Sequence, residues 1–400
     1  NIVFIHAESM DGRKMGCMGN QPLRNATPHL DTLAENGTLF TNAYSTCPVC
    51  NPSRASMWTG KYPHYYQCWN NHEGVRENVP TFQTVLGRAG YQTAAIGPLD
   101  YTYGKHSIRD RVGSWTRAAG IRRPISRTPL PTITENGETW QKDWELANEA
   151  IQWLQNAAES SRPFMLYFTT PLVHPAFIAD KAHMDLIEES RIAVPPALGP
   201  LSNHPHPVDQ YTRITKNCDQ PFDEELVRQI RHVYYAMIAT LDDVVGRIRQ
   251  ALDDLGLAES TYVVFSSDHG EMAGEQNQIL KRTMYEPSIH EPLIITGPDV
   301  QPGQRIDTPV SLVDIYPTLM DMAGVQYGDY AGHPLYPDEL DGESLMDPLQ
   351  GKTARHRDWA FAEYHGDRNC TGSFMLRKGC WKYLKHVGYD PQLFNVESDP

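Results

Sequence analysis

The fold is decided by one short stretch of sequence, Thr261-Tyr262-Val263-Val264-Phe265-Ser266-Ser267-Asp268-His269-Gly270. Its first part, TYVVFS, is a continuous apolar run, which predicts a strand buried on both faces. A long segment with helical periodicity, residues 224–255, precedes it. A buried strand that follows a helix is typical of a parallel sheet covered by helices.

The same alternation of short apolar runs and helical segments continues on both sides of this stretch. Strands are predicted at 2–5, 92–96, 164–169 and 292–296, and helices at 27–36, 81–89, 144–159 and 310–323. This order predicts an α/β fold, with a central, mostly parallel sheet flanked by helices. Segments 121–136 and 193–207 are rich in proline and predict long loops.

The end of the chain has a different pattern. Short strand-like runs at 360–364, 374–378 and 381–385 predict a small C-terminal antiparallel-sheet subdomain. We therefore divide the chain into a catalytic α/β domain, 1–350, and the start of this subdomain, 351–400.

Polar side chains directly follow three of the predicted strands. Glu8 follows 2–5, His174 follows 164–169, and the pair Asp268-His269 follows 261–266. Ligands of open parallel sheets bind beyond the carboxyl ends of the strands. The sequence therefore predicts one shared site that contains these residues.

Composition narrows the class of function. The 400 residues carry 35 Lys and Arg against 49 Asp and Glu, a formal net charge of −14. This balance argues against a general nucleic-acid-binding protein, which needs a basic face. A local basic pocket could still bind an anionic substrate. The sequence contains no apolar window of the roughly 18 residues that a membrane span needs, and both ends look trimmed, with no signal peptide visible.

The seven cysteines are too few for a disulfide scaffold. Their odd number leaves at least one unpaired. Cys370 and Cys380 form a plausible pair.

The segment that carries the chemistry is Cys50-Asn51-Pro52-Ser53-Arg54, followed by Thr59-Gly60. The pattern C-x-P-S-R with a later T-G resembles the signature of the type I sulfatases, and the likeness runs along nearly the whole chain. The resemblance implies the alkaline-phosphatase-like sulfatase fold. It also implies that a formylglycine-generating or anaerobic sulfatase-maturating enzyme converts Cys50 to formylglycine. One hydroxyl of the hydrated aldehyde then attacks sulfur, and the other lets the sulfated intermediate collapse by elimination.

The resemblance also implies a metal ion, held by Glu8, the formylglycine from Cys50, Asp268 and His269. Calcium suits this role because it is a hard cation that prefers oxygen ligands, and Mg²⁺ is an alternative. Most relatives have Asp at the first position, so the longer Glu8 requires a slightly displaced backbone. Asp11 is an alternative ligand.

Three further residues match catalytic positions of the family. Arg54 is expected one turn into a helix that begins near Pro52, where its guanidinium can hold the formylglycine and a metal-bound carboxylate. Lys281 matches the lysine that contacts the sulfate, and His174 matches the histidine near the scissile oxygen.

At one position the chain departs from the family pattern. Relatives carry a Gly-Lys pair after the strand equivalent to 92–96, whereas this chain has Gly97-Pro98. Proline offers no charge and no donor. We hypothesise that Lys105 supplies the missing cation.

Within the family, the chain is most similar to the glucuronate-2-sulfatase subgroup. The segments that carry this likeness include Leu99-Asp100-Tyr101-Thr102, His106-Ser107-Ile108 and His206-Pro207-Val208-Asp209. The likeness implies a 2-O-sulfated glucuronate or related uronate at the end of a polysaccharide. Candidate substrate-binding residues are Asp100, His106, His206, Trp69 and Arg282, with Lys105, Lys216 and Trp115 as further candidates. Because sulfated polysaccharides are degraded outside the cytoplasm, we expect a periplasmic, secreted or lysosomal location.

Two alternatives stay open. The first is a phosphoester or phosphonate hydrolase of the alkaline phosphatase superfamily, because phosphoryl and sulfuryl groups have similar shapes. The second is a catalytically weak glycan-binding homologue, which Pro98 and Glu8 support. The second alternative is opposed by retention of the matching catalytic positions Cys50, Arg54, His174 and Lys281.

Overall fold

The computed structural model describes residues 1–71, 74–76, 79–99, 131–135, 141–196, 206–326, 339–352 and 357–398. In chain order the strands are β1 Ile2–Ala7, β2 Thr38–Phe40, β3 Ala43–Tyr44, β4 Gln92–Ile96, β5 Thr132–Thr134, β6 Phe164–Thr169, β7 Ile178–Asp180, β8 Tyr262–Ser267, β9 His290–Glu291, β10 Leu293–Thr296, β11 Gln304–Ile306, β12 Val310–Ser311, β13 Trp359–Tyr364, β14 Ser373–Lys378, β15 Trp381–His386 and β16 Gln392–Asn395.

The helices, in the same order, are α1 Pro28–Glu35, α2 Cys50–Thr59, α3 Pro63–Tyr66, α4 Phe82–Arg88, α5 Gln141–Ala158, α6 Lys181–Met184, α7 Pro207–Thr215, α8 Glu224–Asp254, α9 Glu286–Ile289, α10 Ile315–Met322 and α11 Met346–Leu349. Short 3₁₀ turns lie at Gly16–Met18, Gln21–Leu23, Glu189–Arg191, Ala258–Ser260, Glu275–Asn277 and Leu312–Asp314.

The centre of the molecule is a seven-stranded sheet with the order β11-β2-β10-β8-β1-β6-β4. Strand β10 runs antiparallel to both of its neighbours, β2 and β8. The other strand pairs of this sheet are parallel. The predicted α/β fold with a mostly parallel central sheet is therefore confirmed.

Helices cover both faces of this sheet, and the central strand β1 is buried on both of its faces. All six residues of β1 are buried. Val3 and Ile5 pack in one core with α1, α5 and α8, whereas Ile2 and Phe4 pack in a second core with α2, α4 and α10. This double burial explains why the strand sequences show no alternation of polar and apolar residues.

Helix α8 fixes the chain that leaves β1. Its Tyr234 is fully buried, and the Tyr234 hydroxyl donates to the Ser9 carbonyl oxygen at 2.8 Å and accepts from the Asp11 backbone N–H at 3.0 Å. Ser9 has a φ of 65°, in the left-handed region. One phenol therefore holds the sharp turn directly after Glu8.

The C-terminal strands β13, β14, β15 and β16 form a separate four-stranded antiparallel sheet, as predicted, with β16 in addition to the three predicted strands. Its inner face packs on Tyr44, Cys47 and Val49. The Glu363 backbone N–H also donates to the Thr46 carbonyl oxygen at 2.9 Å. The sheet thus supports the segment that leads into α2.

Two predictions were wrong. The predicted helix 310–323 is instead a short strand, a 3₁₀ turn and then α10. The Asp314 carboxylate accepts from the Ser311 N–H at 2.9 Å, and this capping box makes the helical turn begin after Ser311. Cys370 and Cys380 are both free. Strand β14 separates them and spans roughly 20 Å, whereas a disulfide needs Cα atoms within about 7 Å.

The predicted long loops are only partly described. Segment 121–136 contains β5, which pairs in parallel with β7, and α7 begins at Pro207, the last residue of segment 193–207. Among the described residues, no helix is both long and apolar enough to cross a membrane.

Candidate active site

Four side chains meet beyond the carboxyl ends of β1 and β8. Glu8 follows β1, Asp268 and His269 follow β8, and Cys50 is the first residue of α2. One potential ligand atom from each lies within 4.8 Å of the others, and all four residues are buried. We call this group the acidic–thiol cluster.

The Cys50 thiol lies at the centre of the cluster. Its Sγ is 3.1 Å from His269 Nε2 and 3.5 Å from Glu8 Oε1. The Glu8 backbone is fixed by its N–H donating to the Leu172 carbonyl at 2.8 Å and by its carbonyl accepting from the Val173 N–H at 2.7 Å. The Glu8 side chain, which is longer than the Asp of most relatives, therefore reaches the Cys50 thiol from a backbone fixed at both its N–H and its carbonyl.

The Asp268 carboxylate is fixed by backbone donors and by Arg54. Oδ1 accepts from the Ser9 N–H at 3.2 Å and the His269 N–H at 2.9 Å, and Oδ2 accepts from Arg54 Nε at 3.0 Å. Burial opposes ionisation, but the nearby His269 and Arg54 hold the pKa of Asp268 well below its usual range. Asp268 is therefore an ionised acceptor.

His269 presents a lone pair to the cluster. Its Nδ1 lies 3.0 Å from the Gly270 carbonyl oxygen, which fixes the proton on Nδ1 and leaves Nε2 facing Cys50. Burial lowers the pKa of His269 to about 3. The imidazole is thus neutral and able to act as a ligand.

Arg54 connects the cluster to β6 and to the end of β4. Besides Asp268, its guanidinium donates from Nη1 to the Pro98 carbonyl at 2.9 Å and to Thr169 Oγ1 at 3.2 Å, and Nη2 lies 3.6 Å from Glu8 Oε2. Arg54 is fully buried. Pro98 therefore contributes its backbone oxygen, which holds Arg54.

Lys281 and His174 form a second group beside the cluster. Lys281 Nζ lies 2.5 Å from His174 Nε2, and this nitrogen is 3.8 Å from Glu8 Oε1. His174 Nδ1 lies 2.5 Å from the Pro175 carbonyl. Burial, reinforced by the charge of Lys281, lowers the pKa of His174 well below its ordinary value. The neutral ring therefore accepts from the lysine.

The donor set of the acidic–thiol cluster suits a hard divalent cation. Two carboxylates and one imidazole converge, and the Cys50 sulfur lies among them. Ca²⁺ and Mg²⁺ prefer oxygen donors, so the hydrated aldehyde expected from the sequence would complete such a set. Asp11 does not join it, because its carboxylate pairs with Arg13 at 2.7 Å and Lys14 at 3.6 Å.

Arg282 contacts the segment that leads into Cys50 and has an acidic partner that the sequence did not reveal. The Arg282 N–H donates to the Pro48 carbonyl at 3.0 Å, and its guanidinium pairs with Asp367 at 3.2 Å. Arg368 Nε lies 3.9 Å from the same carboxylate. Nothing in the sequence indicated that Asp367 would face Arg282.

The remaining predicted substrate residues do not all lie together, although Lys216 is close enough to Arg282 for the Arg282 charge to add to the lowering of its pKa by burial. Lys216 is buried, with Nζ donating to Gln278 Oε1 at 2.9 Å. Trp69 packs edge-on against His365, with 5.0 Å between ring centroids. His206 Nε2 lies 2.9 Å from the Asp390 carbonyl, at the C-terminal sheet. Asp100, Lys105, His106 and Trp115 lie outside the described residues.

Comparison with family models gives two matches. Residues 1–325 match the family described as Sulfatase, and residues 274–400 match the family described as N-sulphoglucosamine sulphohydrolase, C-terminal. The two matches together cover the whole chain.

Individual proteins are similar over the same extent. Arylsulfatase K of Danio rerio is 38% identical over 421 residues, which cover 100% of this chain and 78% of that protein. Among solved structures, the phosphonate monoester hydrolase of Agrobacterium radiobacter superposes with a TM-score of 0.82 at 23% identity, covering 100% of this chain and 90% of that one. A 2-O GAG sulfatase superposes with a TM-score of 0.72 at 22% identity, covering 100% and 86%.

Proposed function

Because the chain belongs to the sulfatase family and is therefore a sulfuric ester hydrolase, we propose that its substrate is the 2-O-sulfate of a glucuronate or related uronate in a polysaccharide. The resemblance found in the Cys50–Arg54 segment is confirmed by the family match, and so is the alkaline-phosphatase-like fold. Action on a sulfated sugar is in keeping with the arylsulfatase K relatives. The fold also serves a 2-O GAG sulfatase.

The acidic–thiol cluster is the observation that supports hydrolysis of a sulfate ester. Glu8, Asp268 and His269 would hold a divalent cation, Ca²⁺ or Mg²⁺, which supplies polarisation of the sulfate oxygens when bound. Cys50, as formylglycine, would supply the nucleophilic hydroxyl. Arg54 holds both carboxylates in place, with contacts of 3.0 Å to Asp268 and 3.6 Å to Glu8.

Lys281 and His174 would bind the anion and manage its proton. Their 2.5 Å contact places a proton between Nζ and Nε2, at the edge of the cluster. The ammonium is a compact donor for a sulfate oxygen. The pair can give its proton to the sugar oxygen as the ester bond breaks. Both residues lie beside Glu8, so they would face the same substrate group as Cys50.

A cationic group beside Cys50 would bind the sugar carboxylate. Arg282, Arg368 and Lys216 lie near one another, and Asp367 is the acidic partner of the two arginines. Burial, together with the charges of Arg282 and Arg368, lowers the pKa of Lys216 to about 7. An anionic ligand would restore the charge on Lys216. A guanidinium forms bidentate pairs with carboxylates, so Arg282 is the primary carboxylate-binding residue in this proposal.

Two further parts of the proposal concern partners and location. A formylglycine-generating or anaerobic sulfatase-maturating enzyme would convert Cys50, and the protein would act outside the cytoplasm on sulfated oligosaccharides. Conversion of the thiol to the aldehyde removes about 18 Da. Intact-mass analysis after expression with a maturating enzyme therefore tests the first part directly.

The substrate is tested with defined disaccharides that differ in sulfate position and uronate identity. We expect sulfate release to be fastest from the terminal 2-O-sulfated glucuronate or its close uronate relatives. An aryl phosphonate serves as the competing substrate. Faster cleavage of the phosphonate, or equal rates for all sulfate positions, would contradict the proposal. A Cys50→Ala variant is the inactive control.

Lys105 remains our candidate for the cation that Pro98 does not supply. A Lys105→Ala variant should lose turnover far more than it loses folding stability. Sulfate release and thermal unfolding, measured on the same preparation, separate the two effects. Near-normal turnover would discard this role for Lys105.

A further inference from the structure

The backbone around Lys281 depends on outside contacts for its shape. Lys281 lies between Leu280, with a φ of 63°, and Arg282, with a φ of 81°. Residues other than glycine rarely adopt this left-handed region, and they keep it only where surrounding groups hold them there. The direction of the Lys281 side chain therefore depends on what fixes its two neighbours.

The Glu271 carboxylate fixes Leu280. Glu271 is fully buried and lies two residues after His269. Its Oε1 accepts from the Leu280 N–H at 2.5 Å and from the Ala273 N–H at 3.1 Å. The Leu280 carbonyl accepts from the Met272 N–H at 3.1 Å. Both polar groups of the Leu280 backbone are thus fixed to the segment that directly follows the acidic–thiol cluster.

Arg282 is fixed by a different contact. Its N–H donates to the Pro48 carbonyl at 3.0 Å, just before α2. Lys281 is therefore held between two anchors, one before α2 and one on Glu271. In this position Lys281 Nζ lies 2.5 Å from His174 Nε2. The two anchors together set this contact.

We infer that Glu271 is a positioning residue for Lys281 in the hydrolysis of the sulfate ester. It acts through the backbone of Leu280, which it keeps in the left-handed region so that the Lys281 ammonium stays at the edge of the acidic–thiol cluster. Without this carboxylate, Leu280 would relax toward a negative φ and turn Lys281 away. Displacement of a reacting group by about 1 Å costs on the order of 100-fold in rate. The effect on catalysis rests on the anion-binding role proposed for Lys281.

A second buried carboxylate makes the same kind of contact between two helices. Asp242 is also fully buried, and it accepts from the His29 N–H at 3.0 Å and the Leu30 N–H at 2.7 Å. These contacts join α8 to the start of α1 and involve no residue of the acidic–thiol cluster. Asp242→Leu therefore removes two comparable contacts and is the matched control for loss of a buried carboxylate.

The first measurement is sulfate release by the matured full chain, on whichever sulfated disaccharide the parent cleaves fastest. Glu271→Met removes both oxygens, and kcat should fall about 100-fold. Glu271→Gln keeps an oxygen that can accept from both N–H groups, so its kcat should stay within about fivefold of the parent value. Asp242→Leu should lower the free energy of unfolding but leave kcat of the folded enzyme within about twofold.

The second measurement is amide hydrogen exchange, which reports on the loop without turnover. The N–H groups of Met272 and Arg282 keep their own acceptors in Glu271→Met, so faster exchange there shows that the loop has moved or opened. Relative to the amides of β8, both should exchange at least about tenfold faster in Glu271→Met and at the parent rate in Glu271→Gln and Asp242→Leu.

Parental exchange of both amides in Glu271→Met overturns the inference. So does a loss of kcat in Glu271→Gln or Asp242→Leu that equals the loss in Glu271→Met. Circular dichroism verifies folding. Glu271→Ser, whose hydroxyl is too short to reach Leu280 and leaves room for water, replaces Glu271→Met if that variant does not fold.

Lys281→Met separates this inference from the proposed function. It should lower kcat and leave exchange of the Met272 and Arg282 amides unchanged. Parental turnover in Lys281→Met would refute the role proposed for Lys281, whereas exchange in the Glu271 variants would still decide whether Glu271 holds the loop.

Discussion

Replacing Arg282 with glutamine tests the proposed carboxylate subsite. Glutamine keeps a polar side chain but removes the charge and the planar donor pair. Arg282 is 11% exposed and its acidic neighbour Asp367 is 12% exposed, so a substrate carboxylate here is largely shielded from water. A charge-assisted hydrogen bond contributes about 1.5–3 kcal/mol. We therefore expect kcat/KM for the 2-O-sulfated uronate to fall roughly 10- to 150-fold.

The assay compares two substrates that differ only in the group Arg282 would bind. One is the 2-O-sulfated glucuronate disaccharide, and the other is the same sugar with its carboxyl reduced to an alcohol. Arg282→Gln should lower kcat/KM for the first and leave the second within about twofold of the parent enzyme. Arg228→Gln, a partly exposed arginine of α8, is the control for loss of charge elsewhere.

A second variant separates recognition from structure. If Arg282 binds the substrate, Asp367→Asn removes a competing carboxylate, and kcat/KM for the uronate should stay level or rise. If Arg282 only holds Asp367, the two variants should damage the enzyme alike. An equal loss for both substrates in Arg282→Gln would refute the carboxylate subsite.

Three other predictions concern the framework of the site. Tyr234→Phe removes the hydroxyl that holds Ser9 and Asp11. This variant should lower the free energy of unfolding by about 1–3 kcal/mol, as measured by urea titration. Its turnover should fall as well. Gly97 has a φ of 103°, and an added Cβ would lie 1.8 Å from the Thr169 carbonyl oxygen, so Gly97→Ala should lower the melting temperature strongly. In the control Gly87→Ala, the added Cβ would lie 3.6 Å from Thr93 Oγ1, and the melting temperature should stay unchanged or rise. Equal melting temperatures for the two variants would refute this interpretation of Gly97. Burial raises the pKa of Glu363, but bonds from His365 and His64 outweigh it and bring the pKa below its ordinary 4.5. Ionised Glu363 thus stabilises the fold above that pH, and the contribution is lost as pH falls through the lower folded-state pKa. Glu363→Gln should therefore be less stable than the parent near neutral pH, with the difference narrowing in acid, and a difference independent of pH would contradict the assignment.

Local pattern was enough to predict the strands of the central sheet and the residues that follow them. Glu8 and Asp268 each follow a buried strand, so the parallel topology alone brings them to one edge. The side chains of Lys281 and His174 come from loops; resemblance assigned each to the site, but their 2.5 Å contact was not predicted. Their catalytic and metal-binding roles, and that of Cys50, stay predictions.

The sequence could not reveal contacts that depend on distant packing. The Asp367–Arg282 pair joins two loops that are far apart in the chain, and neither has a periodic pattern. The helix predicted from Val310 onward ignored the Ser311–Asp314 cap, which is a local signal that apolar periodicity obscured. The Cys370–Cys380 pair failed because sequence spacing says nothing about the strand that holds the two residues apart.

The burial of α2 would limit when the proposed conversion of Cys50 can take place. All ten residues Cys50–Thr59 are buried in the folded protein, and the C-terminal sheet packs over the segment that precedes them. The maturating enzyme proposed above would therefore have to reach residue 50 before folding is complete. Strand β13 leaves the ribosome roughly 300 residues after Cys50, which at about 5–20 residues per second is about 15–60 s later. Synthesis itself thus sets a time window, and chains that fold early would keep an inert thiol.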